Sequence, residues 1–96
     1  MRRDARRALI AYDIPDDGRR VRIAKALEAY GDRVQYSVFL IDIGPVKLAR
    51  LGRKLESLMT EGDSILVCDL GPIDVGESRV TFLGRRRWTA DRDFVI

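Results

Sequence analysis

An aspartate placed directly after the apolar run Ala8-Leu9-Ile10-Ala11-Tyr12 is the first residue whose type and position point to chemistry. The run reads as a buried strand, which puts Asp13 at a strand end, where open α/β sheets gather their sites. By the alternation of a strand, Asp13 shares a face with Leu9 and Ala11. If that face meets a second copy near a two-fold axis, Asp13 lies against its own counterpart. Two carboxylates a few ångströms apart cannot both stay ionised unless one takes a proton or a cation sits between them. Oxygen donors of this kind select Mg²⁺, Mn²⁺ or Ca²⁺, and Mg²⁺ held by two aspartates and waters can activate water against a phosphodiester. A turn or capping role, like that of Asp16 and Asp17, is the other reading of the same residue.

Cations gather close behind it. Arg19, Arg20 and Arg22 stand where a first helix is expected to begin. A cation in a first helical turn opposes the helix dipole at a cost of about 0.3–1 kcal/mol. Local stability does not ask for these residues, whereas phosphate binding does, because a helix N-terminus already aims N–H groups at an anion. Neutralisation by Asp16 and Asp17 in a solvated cluster is the alternative. Asp32-Arg33 with Gln35 and Ser37 sets alternate polar side chains into an apolar stretch, either as a polar contact surface or as an ordinary edge or bulge. Arg85-Arg86-Arg87-Trp88 joins cations to an aromatic, as in a surface that tracks a nucleic-acid backbone with one stacking ring; a solvated loop anchored by Trp88 fits equally. Arg2, Arg3, Arg6 and Arg7 read as a flexible basic arm. Asp63 and Asp69 flank a later strand and could be ligands, but no site is built on them.

Composition limits what else is possible. The 96 residues carry 18 Lys+Arg against 15 Asp+Glu, a net charge of +3. Only Lys25, Lys47 and Lys54 are lysines; the other cations are arginine, whose planar fork suits phosphate oxygens and stacks on bases. A genome rich in G and C produces the same excess without any function. The absence of His removes His-based triads, His general bases and almost every zinc-enzyme site. Cys68 cannot form an intrachain disulfide and reads as a small core residue in Ser64-Ile65-Leu66-Val67-Cys68. Apolar runs fall far short of the ~20 residues of a membrane span, and no signal-peptide segment follows the first arginines. One soluble, cytoplasmic domain is expected, working with carboxylates, hydroxyls, Arg and a hard metal if it is an enzyme.

The elements that must position these residues follow from periodicity. After the first strand, Asp16 or Asp17 caps helix 1, with Val21, Ile23, Ala24, Leu27 and Tyr30 at helical spacing until Gly31 ends it. Arg33 to Ile43 is β-branched and aromatic, a strand kinked or doubled at Tyr36-Ser37. Leu48, Leu51, Leu55, Leu58 and Met59 define helix 2. Glu61-Gly62-Asp63 is a turn, Ser64–Leu70 a strand, Arg79–Leu83 a further strand, and Phe94-Val95-Ile96 an apolar end. The order is that of a ferredoxin-like split βαβ sandwich, an α+β fold, with a C-terminal β addition. Two helices cover only one face of such a sheet, yet the central strands are apolar on both. Val34, Tyr36, Val38 and Leu40 alternate with Phe39, Ile41 and Ile43, and Ile65 and Val67 alternate with Leu66, Cys68 and Leu70. A second copy meeting sheet to sheet is the simplest cover, with the apolar tail adding an edge strand to the partner.

Four motifs occur in order: Tyr12-Asp13-Ile14, Asp16-Asp17-x-Arg19-Arg20, Ala24-Lys25-x-Leu27, and Tyr30-Gly31-x-Arg33-Val34-Gln35-x-Ser37-Val38-Phe39. With them the chain resembles the small CRISPR-associated endonuclease family that forms the central subunit of spacer-acquisition complexes. The resemblance is dense over residues 8–43, keeps its layout through residue 70 and fades beyond. Where the family often carries Glu after the Phe, this chain has Leu40, and its arginine arm before Ala8 is longer than usual. The resemblance implies a ferredoxin-like protomer in a homodimer, C-terminal β structure crossing to the partner, and a divalent metal between the two copies of Asp13. It further implies a metal-dependent nuclease on single-stranded RNA or double-stranded DNA, or a non-catalytic DNA-binding dimer bridging integrase subunits.

The combined expectation is one domain over residues 1–96, with a core at 7–84 and a basic, aromatic and then apolar segment at 85–96. Asp13 of each chain holds Mg²⁺ or Mn²⁺ and carries the catalysis. Arg19, Arg20, Arg22, Arg33 and Ser37 bind nucleic acid, and Arg85, Arg86 and Arg87 form a secondary basic surface. The partners are a second copy, RNA or DNA, and a CRISPR integrase subunit, with no membrane.

Overall fold

The computed structural model describes residues 5–73 and 79–84. Strand β1 (Arg6–Asp13) alternates between half-buried and buried residues until it reaches exposed Asp13. Ala8, Ile10 and Tyr12 point into the core under the helices, and Leu9 points to the opposite side. Helix α1 (Asp17–Glu28) starts at Asp16, whose carboxylate accepts the Arg19 backbone N–H at 2.8 Å and satisfies a donor that has no partner within the helix. It buries Ile23, Ala24, Ala26 and Leu27. Strands β2 (Gly31–Gln35) and β3 (Val38–Ile43) form a hairpin around Tyr36 and Ser37. Helix α2 (Pro45–Leu58) opens on a proline, whose missing N–H is no loss in a first turn, and buries Leu51 and Leu55. Strand β4 (Ser64–Pro72) ends the regular structure among the described residues.

All three strand pairings are antiparallel, in the order β2-β3-β1-β4. Both helices lie on one face, where Ile23, Leu27, Leu51 and Leu55 close over Ile10, Phe39 and Ile41. The fold is α+β: a four-stranded antiparallel sheet with one helical layer. On the other face Val34 and Leu40 are nearly inaccessible, packed with Leu9, Val38 and Leu70 and also with Val80 and Phe82.

That second cluster corrects two expectations. Residues 79–83 form no strand; they run as irregular chain, with the Arg79 guanidinium donating to the Leu70 carbonyl at 3.1 Å. Val80 and Phe82 alternate toward the sheet and are partly buried against it, so the chain itself covers part of its second face. Tyr36 is not a strand residue pointing with Val34 and Val38. It sits at the hairpin turn and is 70% exposed. Arg6 and Arg7 belong to β1, not to a loose arm: Arg6 Nε donates to Asp69 at 2.8 Å and Arg7 Nε to Asp42 at 2.9 Å. Asp69 accordingly lies within β4 rather than beside it. Cys68 is half-buried. Arg2, Arg3, Arg85, Arg86, Arg87, Trp88 and the tail Phe94–Ile96 lie outside the described residues.

Gly31 is also reassigned. Helix α1 ends at Glu28 with Ala29 as its cap, and Gly31 opens β2 opposite Ile41. A Cβ at that position would lie 2.3 Å from Ile41 Cγ2 and 2.4 Å from the Leu40 carbonyl oxygen. The residue is glycine because two backbones approach too closely for a side chain. Gly31→Ala should therefore cost about 1–3 kcal/mol, in the range of overpacked cores. The corresponding fall in melting temperature, at least about 5 °C, is read by calorimetry.

The helical layer is tied to the sheet end by one ion pair. Arg19 donates from Nε and Nη2 to the two oxygens of Asp63, at 2.8 and 3.1 Å, and the Thr60 N–H donates to the same carboxylate at 2.9 Å. The Asp63 side chain is closed off from solvent (0% exposed). The Arg19 hydrogen bonds first, then the Thr60 N–H, hold its carboxyl below the ordinary carboxylate range, and the same pairing raises Arg19. A carboxyl lowered in the folded state adds stability that is full above its unfolded value of about 3.9 and is lost as pH falls through the folded value. Asp63→Asn should lower the melting temperature at neutral pH, and its deficit should shrink as pH drops below about 4. A deficit constant across that range in stepped-pH calorimetry would contradict the charge assignment.

Candidate functional site

Asp13 closes β1 with Ser64 of β4 as its Cα partner, on the Leu9–Ala11 side of the strand and away from the helices. It is exposed, and among the described residues its carboxylate takes part in no hydrogen bond or ion pair. Nor do the described residues contain a group of three or more Asp, Glu, Cys or His that could surround a metal. At this strand end, among the described residues, one chain thus presents one open carboxylate. As a hard oxygen donor with its lone pairs available it fits one share of a Mg²⁺ or Mn²⁺ coordination shell, with the other protein share left to a second chain.

Its neighbour Tyr12 faces the other way, into the helical core, and is 5% exposed. Two aromatic rings meet there, with the Tyr12 and Phe39 centroids 6.3 Å apart. The Tyr12 hydroxyl accepts from Arg33 Nη2 at 3.0 Å and donates to the Tyr36 carbonyl at 3.4 Å. The Arg33 guanidinium lies over the rings of Tyr36 and Phe39, 5.8 and 5.6 Å from their centroids. Ser37 enters through its backbone, its carbonyl accepting the Tyr12 N–H at 3.0 Å, which carries the β1–β3 ladder one step further toward Asp13. Asp13 and Arg33 therefore lie on opposite faces of the sheet, because Arg33 pairs with helix-side Phe39.

The arginines of α1 divide. Arg19 is held by Asp63. Arg20 donates to the Ile14 carbonyl at 2.7 Å and to Asp17, and the Asp17 contact leads the causes that raise its pKa. Arg22 is exposed, with no hydrogen bond or ion pair among the described residues. Arg20 and Arg33 line a common groove of about 400 Å³, together with Asp17, Val21, Lys25, Glu28 and Tyr36. Of the arginines and serine singled out in the sequence, the structure brings Arg20 and Arg33 together, attaches Ser37 through its backbone and leaves Arg19 and Arg22 apart. Sequence reasoning missed two residues. Asp63 carries no local signal, its partner being 44 positions away. Tyr36 reads as one of the alternating apolar residues, although the doubling of the strand at Tyr36-Ser37 is legible and sets it at the turn.

The family model described as CRISPR associated protein Cas2 matches residues 6–78. The chain is 44% identical over 89 residues to the CRISPR-associated endoribonuclease Cas2 of Thermus thermophilus, covering 91% of this chain and 94% of the relative. A solved structure of a hypothetical protein from Thermus thermophilus superposes with a TM-score of 0.76 at 36% identity, over 86% of this chain and 95% of that one. The crystal structure of Streptococcus pyogenes Cas2 gives a TM-score of 0.69 at 31% identity, over 81% and 99%. Asp13, Tyr12, Arg20 and Arg33 all fall inside the matched region, and by that match the chain belongs to the CRISPR-associated Cas2 family.

Proposed function

We propose that this chain works in the spacer-acquisition machinery of a CRISPR system as a homodimeric, metal-dependent endonuclease cleaving phosphodiester bonds of single-stranded RNA or double-stranded DNA. The relatives' names, endoribonuclease and endonuclease, support the reaction class. The observation that carries the reading is Asp13: an exposed carboxylate without a partner among the described residues, at the end of the central strand, on the face that the helices leave open. The strand order supports a ferredoxin-like protomer. Leu66, 56% exposed, and the partly buried Leu9, Val38 and Leu70 support that face as the contact between copies. Two-fold pairing there would set one Asp13 against the other.

In this reading Asp13 of each protomer holds Mg²⁺ or Mn²⁺, which when bound supplies water activation and charge stabilisation at the phosphate. The chain's own residues do the rest. Arg20, Arg22 and Arg33 draw the nucleic-acid backbone to the surface, Arg19 maintains the helix start through Asp63, and Ser37 holds the end of the β1–β3 ladder through its carbonyl. No helix among the described residues is long and apolar enough to cross a membrane, and the proposed setting is the cytoplasm. Asp13→Ala should bring Mg²⁺-dependent cleavage to background while folding stability changes by no more than about 0.5 kcal/mol, because the side chain removed is exposed and has no hydrogen bond or ion pair among the described residues. Cleavage unchanged in a rigorously purified variant would refute the catalytic role.

A second reading is favoured by the same shortage of acids in one chain: an architectural DNA-binding dimer that bridges integrase subunits without turnover. Arg22, exposed and without a partner among the described residues, is the cation best placed to separate electrostatics from folding. Arg22→Ala should weaken duplex DNA binding and reduce the slope of log K against log salt by about 0.9 per lost phosphate contact. Under the architectural reading, Asp13→Ala leaves spacer integration intact in a reconstituted assay.

A further inference from the structure

Exposure of a single aromatic side chain says little by itself. Tyr36 is 70% exposed, and what distinguishes it is that its backbone and one face of its ring are both held in place. The buried Tyr12 hydroxyl donates to the Tyr36 carbonyl at 3.4 Å. The Arg33 guanidinium, donating to that same hydroxyl at 3.0 Å, lies over the Tyr36 ring, 5.8 Å from its centroid. Arg33 is held in turn over Phe39, a core residue with 0% exposure. The Tyr36 ring is thus backed by a cation anchored to the core, and its other face is presented outward. A ring ordered in advance loses little conformational freedom when a flat ligand settles on it.

The surroundings match one ligand chemistry. Tyr36 borders the groove of about 400 Å³ between α1 and the hairpin, whose cations are Arg20, Lys25 and Arg33. Of its two acids, Asp17 is taken up by Arg20, leaving Glu28 at the rim. A flat π-face beside cations suits a base with its flanking phosphates, because bases stack on aromatic rings irrespective of sequence while arginines follow the backbone. A duplex keeps its base faces buried against each other and offers none to an outside ring.

We propose that Tyr36 is a stacking seat for one unpaired base of a single-stranded nucleic acid, with Arg20, Lys25 and Arg33 in the adjoining groove taking the flanking phosphates. The inference rests on the nucleic-acid reading above and deepens it, since it makes the hairpin turn the element that favours single strands over duplex. It places a selectivity residue on the helix-side surface, apart from the Asp13 face.

The test uses the full-length chain carrying Asp13→Ala, so that binding is measured without cleavage. Fluorescence anisotropy is recorded with labelled single-stranded RNA and with duplex DNA of the same sequence. Adding Tyr36→Ala should weaken RNA binding by about tenfold and leave duplex binding within about twofold, whereas Tyr36→Phe should keep RNA binding at the parent level. Equal losses on both probes, no loss on RNA, or a loss in Tyr36→Phe as large as in Tyr36→Ala would each overturn the stacking seat. A parent protein that binds neither probe overturns the nucleic-acid reading together with it. A parent that binds both, with Tyr36→Ala unchanged, overturns the seat alone.

Discussion

The fold depends on β1 being apolar on both faces and paired on both edges. Ile10 lies between Phe39 of β3 and Val67 of β4, and its side chain is completely buried under the helices. A strand so placed cannot slip by one residue, because a slip would turn Ala8, Ile10 and Tyr12 out of the helical core and push Leu9 and Ala11 into it. The register therefore fixes which face each functional residue takes. Tyr12 is drawn inward to organise Arg33 and the hairpin turn, and Asp13, one residue later, is left in solvent on the other face. The proposed binding surface and the candidate carboxylate depend on adjacent residues, Tyr12 and Asp13, yet stand on opposite sides of one sheet.

The arginine excess has a divided meaning. Arg6, Arg7, Arg19 and Arg20 each pair with an aspartate, and three of those contacts cross between elements distant in the chain. These residues fasten β1 to β4 and β3, and α1 to the turn before β4. Arg33 is committed to a hydroxyl and two rings, which still leaves it N–H groups to donate. The charge total in the sequence thus overstates the cation surface open to an anion: the cross-element pairs hold Arg6, Arg7 and Arg19, whereas the aspartate on Arg20 is its exposed helix neighbour Asp17.

Much of the layout was legible because local rules govern it. Asp16 as a helix cap, the end of the strand at Gly44-Pro45, the turn at Gly62 and the opposed faces of β3 follow from capping, proline geometry and the period of two. What was misread lies where a distant partner overrides the local signal. Gly31 looks like a helix stop, yet the backbone of β3 is the reason no side chain fits there. Residues 79–83 have the composition of a strand, but they form none and instead lay two partly buried side chains, Val80 and Phe82, on the sheet. Tyr36 continues the apolar alternation on paper, but the turn at Tyr36-Ser37, where the sequence also allows the strand to double, takes it out of that alternation.

Taken alone, the sequence determined the element order, the two apolar faces of the sheet and the single carboxylate at the end of the first strand, since each follows from side-chain type and spacing within a few residues. Only the tertiary structure decided which arginines are occupied, that Asp63 is the buried anchor of Arg19, that Val80 and Phe82 cover part of the second face, and that Tyr36 is held outward over Arg33. Those outcomes rest on contacts between residues far apart in the chain, whose geometry is set by strand register and helix packing and leaves no trace in local spacing.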